Sequence, residues 1–350
     1  MSSELIIKII KLVVVPFIAV VVMIPFIKKL AFKIGAIDKP RINHIHNKDT
    51  AKLGGLGIFL GFLLGYLLYG SYSIQMNSIL IGSFIIILFG IIDDIVELPP
   101  KTKLIGQILA ASVIAFYGKI LLSDISAFGI YINFGIFTYP FTIIFIVACI
   151  NCMNLIDGLD GLCGGISSIY FVTIGIIAIM QNKLGMDFIL TFIMLGSTLG
   201  FLIYNFYPAK IFAGDSGSMF LGFIISVIAL LGFKNVTLTS LIVPLLVLAI
   251  PILDTLFAII RRTLKGEKVT QRDEFHIHHQ LIKRNIPIKT AVIIIYIVDI
   301  LFAAASIIYV AKNRYLGYII YGILLSLFIV LIINTNVVFD KKKSNKIKKQ

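Results

Sequence analysis

LIIKIIKLVVVPFIAVVVMIPFI, residues 5–27, contains two lysines, no acid and no cleavage-like run of small residues. A helix needs about 20 apolar residues to cross the hydrocarbon core of a bilayer. This stretch meets that length and predicts a retained membrane span rather than a signal peptide. Similar runs recur along all 350 residues, of which 59% are hydrophobic and only 14% charged. Soluble domains carry about 45–50% apolar and about 25% charged residues, so no ordinary soluble domain fits. The runs are continuous, whereas barrel strands would alternate. The predicted fold is therefore an all-α polytopic membrane protein. It has about eleven spans, near 5–27, 54–72, 78–92, 104–122, 139–156, 163–181, 187–204, 217–234, 240–260, 290–311 and 315–334. Residues 1–334 read as one transmembrane domain and 335–350 as a basic tail.

The net charge of +14 has its explanation in topology, not in nucleic acid. Lysine and arginine are retained in cytoplasmic loops. With the N-terminus outside, 24 of the 31 Lys and Arg residues fall on the inner side. That asymmetry predicts an external N-terminus and a cytoplasmic C-terminus. The tail DKKKSNKIKKQ, residues 340–350, serves either as a topology anchor or as a contact for anionic lipid. Cys149, Cys152 and Cys163 read as membrane packing residues, not as a disulfide framework or a zinc site. No internal repeat of the kind that builds secondary transporters is visible.

Under this topology the acids and histidines share one side. GIIDDIVELPPKTKLIGQ (90–107) puts Asp93 and Asp94 at the inner end of the third span. NCMNLIDGLDGL (151–162) does the same for Asp157 and Asp160, and YNFYPAKIFAGDSGSMFLG (204–222) for Asp215. PILDTLFAIIRR (251–262) carries Asp254 about two turns inside its span. RDEFHIHHQL (272–281) supplies His276, His278 and His279, and DKPRINHIH (38–46) supplies Asp38, His44 and His46. Asp299 is the exception, with no place in this scheme. A proton or ion pathway would string acids through the depth of the bilayer. Gathered at one face, they suit chemistry between a soluble reactant and a lipid head group.

Several carboxylates without a cysteine set suit a hard cation. Mg²⁺ is usually held by one or two carboxylates plus substrate phosphates, and phosphoryl transfer needs such charge neutralisation. The glycines of GLDGLCGG and GDSGS allow backbone N–H groups to approach phosphate. Each signal also has a plain structural reading. Asp93–Asp94 also fits a solvated helix end, and GDSGS a helix N-cap. Gly158 and Gly161 also fit loop breakers. Asp157 and Asp160 share a face only if their helix continues through them. Asn151 and Asn154 are costly in an apolar helix unless hydrogen-bonded.

Taken in order, DDIVELPPKTKLIGQ, NCMNLIDGLDGL, YNFYPAKIFAGDSGSMFLG and HIHHQL resemble the motifs of the polyprenyl-phosphate N-acetylhexosamine-1-phosphate transferases, over about residues 38–281. The resemblance implies transfer of a sugar-1-phosphate from a UDP-N-acetylhexosamine to a polyprenyl phosphate such as undecaprenyl phosphate, with release of UMP. It also implies Mg²⁺ dependence (Mn²⁺ is the alternative cation), a cytoplasmic site in the cell membrane, and a homodimer. His276-Ile277-His278-His279 and the Leu253-Asp254-Thr255 stretch resemble the UDP-GlcNAc branch, which starts teichoic acid, O-antigen or similar envelope glycans. The alternative branch uses UDP-MurNAc-pentapeptide. A transporter of lipid-linked anions is a reading from a different class. Asn43 and His44 stand where the family has a basic pair, and Ala51 where it has a proline.

By the same resemblance Asp215 is the Mg²⁺ ligand, with Asp93 and Asp94 at the lipid phosphate or the metal sphere. Asp93, Asp94 and Asp215 are thus the catalytic set, with Asp94 and Asp215 on the metal. Asn151, Asn154, Asn205, Asp157 and Asp160 hold the nucleotide or diphosphate. Lys103, His276, His278 and His279 bind phosphate or sugar.

Overall fold

The computed structural model describes residues 2–39, 49–127, 130–233, 247–264, 266, 276–311 and 314–334. Asn43, His44, His46, the start of the span expected over 240–260 and the tail 335–350 lie outside the described residues.

The chain is a helical bundle. Helix α1 (Ser3–Ile34) is capped at its start by Ser2 Oγ, which accepts Leu5 N–H at 3.3 Å, and ends on Gly35 in the left-handed region. A short antiparallel ribbon follows, with β1 (Ile37–Asp38) pairing Ile37 with Ala51 and Asp38 with Thr50 of β2 (Thr50–Ala51). Then come α2 (Gly54–Tyr69), α3 (Ile74–Val96) and α4 (Pro100–Ser112). A proline at its first turn suits the start of α4, where a backbone N–H has no partner within the helix. One π turn (Val113–Tyr117) prolongs α4, and a hairpin of β3 (Asp124–Ala127) and β4 (Ile130–Asn133) leads to α5 (Thr138–Ile156). The remainder is α6 (Leu162–Met180), α7 (Met186–Asn205), α8 (Gly214–Phe233), α9 (Ala249–Leu264), α10 (Ile277–Lys283), α11 (Ile288–Ala311) and α12 (Arg314–Asn334).

Among the described residues, seven helices are long and apolar enough to cross a membrane: α1, α3, α5, α6, α7, α8 and α11. The chain is accordingly an all-α, multi-pass membrane protein. The span expected over 104–122 is displaced, because the helix begins at Pro100 and its π turn closes at Tyr117.

The bundle is organised around α8. Its side chains from 216 to 231 are all buried, as expected for a helix apolar on every face. It packs against α2, α3 and α5. Between helices in lipid, small residues let backbones come close. Gly55 of α2 lies against the backbone of Gly217, and Gly90 of α3 against Ser216, with no room for a side chain at either. The start of α8 is also stitched to α2 by main-chain bonds. Gly54 N–H donates to Phe212 C=O and Gly55 N–H to Ala213 C=O, both at 2.9 Å. The outward face of α1 presents Ile10, Val14, Ile18 and Val22, one turn apart, as a lipid-facing stripe would. The ends of α3, α5 and α7 therefore meet the beginning of α8 at one end of the bundle.

Candidate active site

At that end lies a cavity of about 520 Å³. Asp94, Asp157, Asp160 and Asp215 line it, together with Lys103 and Asn154. Their elements are far apart in sequence, and the packing of α8 brings them together.

Lys103 is the charge centre of the site. Its Nζ lies 2.6 Å from Asp93 Oδ2 and 3.1 Å from Asp215 Oδ1. Asp215 Oδ1 also accepts Asn154 Nδ2–H at 2.7 Å, and Asn154 reaches Ser218 Oγ at 2.9 Å. Asp215 is the second residue of α8, where the unpaired N–H groups of the helix favour negative charge.

The adjacent acids of α3 are unlike one another. Asp93 is buried, and its Oδ1 accepts Leu98 N–H at 2.6 Å, just past the helix end. It does not line the cavity and meets it through Lys103 and through its side-chain contact with Asp215. Asp94 caps α8: Oδ1 accepts Asp215 N–H at 2.8 Å, and Oδ2 accepts Ser216 N–H at 3.2 Å and Ser216 Oγ–H at 2.6 Å. GDSGS thus opens α8, but the capping carboxylate is Asp94 of α3 rather than a residue of the stretch itself.

One helical turn separates Asn151 from Asn154, and their surroundings differ. Asn151 is not in the cavity; it pairs with Gln107, donating to Oε1 at 2.7 Å, which satisfies an amide inside an apolar helix. The condition for Asp157 and Asp160 to share a helix face is not met, and the loop-breaker reading of Gly158 and Gly161 holds. Helix α5 ends at Ile156 and α6 begins at Leu162, so both acids sit in a loop that turns on Gly161 at positive φ. Asp160 Oδ2 accepts Ala209 N–H at 2.9 Å. Asn205 accepts Gly161 N–H and donates to Ile211 C=O, both at 3.0 Å, tying two loops together on the cavity wall. Tyr296 of α11 donates to Gly161 C=O from the other side. Burial, with the nearby charges of Asp215 and Asp160, pushes the Asp157 carboxyl from 3.8 up to about 7.

Of the three histidines, only His279 lines the cavity. His276 and His278 are buried behind it, their rings parallel with centroids 5.7 Å apart. Burial and the two neighbouring imidazoles hold His278 well below its ordinary pKa, so it is neutral at pH 7. Its Nε2 edge packs on Gly158.

Several participants escaped the sequence reading. Gln107, Ser216 and Ser218 are polar residues whose roles depend on cross-chain partners. Lys52, counted only as a topology charge, lines the cavity and lies 3.6 Å from Asp38. Asp254 bonds to His276. Asp299 is fully buried in α11, and neither of its oxygens has a hydrogen-bond partner among the described residues.

Among the described residues, no cluster of three or more His, Cys, Asp or Glu side chains is arranged to hold a metal by itself. Asp215, held by the Asn154 amide and the Lys103 ammonium, offers a single hard-oxygen anchor beside further carboxylates. That donor set suits Mg²⁺, which takes few protein ligands and completes its shell with water and phosphate. It does not suit zinc.

The glycosyl transferase family 4 pattern matches residues 76–233. A Bacillus subtilis protein described as a probable undecaprenyl-phosphate N-acetylglucosaminyl 1-phosphate transferase is 38% identical over 98% of this chain and 96% of its own length. A decaprenyl-phosphate N-acetylglucosaminephosphotransferase of Mycolicibacterium smegmatis is 31% identical over 81% of this chain and 78% of its own. An Escherichia coli undecaprenyl-phosphate alpha-N-acetylglucosaminyl 1-phosphate transferase is 27% identical, with the same coverage of 81% and 78%.

Proposed function

The chain belongs to glycosyl transferase family 4, in its polyprenyl-phosphate N-acetylglucosamine-1-phosphate transferase branch, and on that premise we propose that it transfers N-acetylglucosamine-1-phosphate from UDP-GlcNAc to undecaprenyl phosphate and releases UMP. The observation that carries this reading is the Lys103–Asp215–Asn154 contact at the wall of a carboxylate-lined cavity. It is a site for phosphates placed at the end of membrane-spanning helices.

In this reading an oxygen of the lipid phosphate attacks the β-phosphorus of the sugar nucleotide. A new P–O bond forms, the bond to the bridging oxygen breaks, and UMP leaves with that oxygen. No strong base is needed, because the second pKa of a phosphate monoester is near ~6 and the nucleophile is ionised at pH 7. Lys103 orients phosphate oxygens, and Asn154 fixes the carboxylate of Asp215. The loop of Asp157 and Asp160, braced by Asn205, receives the nucleotide. Mg²⁺, or Mn²⁺ in its place, would be held by Asp215 with Asp94 beside it, and supplies neutralisation of the diphosphate charge.

Direct attack is favoured over an aspartyl-phosphate intermediate. Asp93 is locked between Leu98 N–H and Lys103 and lines no part of the cavity. Both oxygens of Asp94 are committed to the start of α8. The site faces the cytoplasm, with eleven spans and the N-terminus outside; the Lys and Arg asymmetry supports that orientation.

Purified protein incubated with undecaprenyl phosphate, Mg²⁺ and either UDP-GlcNAc or UDP-MurNAc-pentapeptide tests the proposal. UMP release is expected with UDP-GlcNAc alone, and not from Asp215→Ala. Release with the pentapeptide substrate instead would overturn the sugar assignment.

A further inference from the structure

Behind the cavity, Asp254 of α9 is 2% exposed and makes two bonds to a segment 22 residues away. Its Oδ2 lies 2.8 Å from His276 Nδ1, and its Oδ1 accepts Ile277 N–H at 2.9 Å. Ile277 is the first residue of α10, so a single carboxylate both caps that helix and fixes the imidazole before it. A carboxylate at Nδ1 keeps the proton on that nitrogen and sets the ring plane. The constraint passes onward by packing. His276 lies parallel to His278 with an interplanar angle of 4°, and His278 abuts Gly158, beside Asp157. His279, 4.3 Å from His278 between ring centroids, is the histidine that reaches the cavity.

We propose that Asp254 is a positioning residue for nucleotide-sugar binding: through His276 it sets α10, and thereby places His279 and the Gly158 loop together on the wall of the same subsite. Asp254 touches no substrate, since it is absent from the cavity wall. Its removal therefore weakens ground-state and transition-state binding alike, which raises KM and leaves kcat in place. The inference rests on the transferase reading above. The sequence places Asp254 and the histidines on the same side but shows no contact between them, and the reaction itself does not call for it.

Asp254→Asn is the informative variant, because the amide offers one acceptor where two donors need one. With UDP-GlcNAc as the varied substrate, KM is expected to rise about tenfold, the scale on which outer partners of working histidines act. The kcat should stay within about threefold. A second readout does not depend on turnover. Diethyl pyrocarbonate carbethoxylates accessible imidazoles, and peptide mass spectrometry locates the adduct. In the wild-type protein His279 should react while His276 and His278 are protected; in Asp254→Asn the protection of both should be lost. If Asp254→Asn does not fold, His276→Asn, which spares the cap on Ile277, should give the same KM rise. A fall in kcat at constant KM, or unchanged protection in the variant, would overturn the inference. A wild-type protein that releases no UMP would defeat the transferase reading instead, and the protection pattern would still decide the role of Asp254.

Discussion

Asp94 Oδ1 accepts the backbone N–H of Asp215 at 2.8 Å, across 121 residues of chain. One aspartate thereby builds the helix start on which another is displayed, so the two should fail differently. Asp94→Ala removes an N-cap worth about 1–2 kcal/mol. It also strands buried donors of Ser216, at about 1–3 kcal/mol each. Its melting temperature in detergent should fall by several degrees along with UMP release. Asp215→Asn should abolish release while melting close to the wild type. Equal melting of the two variants would contradict the division of labour.

Gly214, immediately before Asp215, has φ +71°, and a Cβ there would collide with Lys52 C=O and the Asp94 carboxylate. The left-handed backbone alone costs a non-glycine residue about 1–2 kcal/mol, and the collision falls on backbone that cannot move aside. Gly214→Ala should therefore lose both folded yield and activity, measured by size-exclusion recovery and UMP release. Gly232→Ala, on the same helix with nothing among the described residues within 4 Å of its Cβ, should be recovered normally.

Asp157 titrates near neutrality, pushed up to about 7 chiefly by burial. Its ordinary value is 3.8, so between about pH 4 and pH 7 the folded protein holds a proton that the unfolded chain has released. The contribution of this group to stability is thus largest below pH 4 and declines as pH rises through 7. Asp157→Asn should flatten that decline in the ligand-free protein, raising its melting temperature at pH 7.5 more than at pH 4.5. A difference of the opposite sign would refute the placement of Asp157 in an acid-rich wall.

Single cysteines in the connections after α3 and before α8, such as Glu97→Cys and Lys210→Cys in a background without Cys149, Cys152 and Cys163, should react with a membrane-impermeant maleimide from the same compartment. For the proposed orientation this is the cytoplasmic side, reached only in inverted vesicles. Labelling of the two from opposite sides would break up the cavity as a cytoplasmic site.

Much of the architecture was written in the sequence. Apolar runs such as 5–27 must become helices in lipid, because every backbone polar group has to be satisfied within the segment. The residue types of the site were legible as well: Asp215, Asp157, Asp160 and Lys103 are expensive in an apolar chain and stand out. What sequence could not assign was the difference between neighbours. Asp93 and Asp94 are adjacent, yet one pairs with Lys103 and the other caps the backbone of α8. Asn151 and Asn154 are one turn apart, yet only Asn154 reaches Asp215. Asp254 could be placed on the same side as the histidines, but its contact with His276 and Ile277 exists only once α10 folds back onto it.

The amino-acid pattern by itself determined that this chain is a helical membrane protein with a polar, phosphate-suited set of residues between its spans. Local periodicity and transfer free energy settle that without reference to any partner. Only the tertiary structure decided which carboxylates face the cavity and which brace it. That choice depends on how α3, α5 and α8 rotate about their axes when glycines such as Gly90 and Gly222 let their backbones touch, and such contacts join residues too far apart in sequence for any local pattern to record.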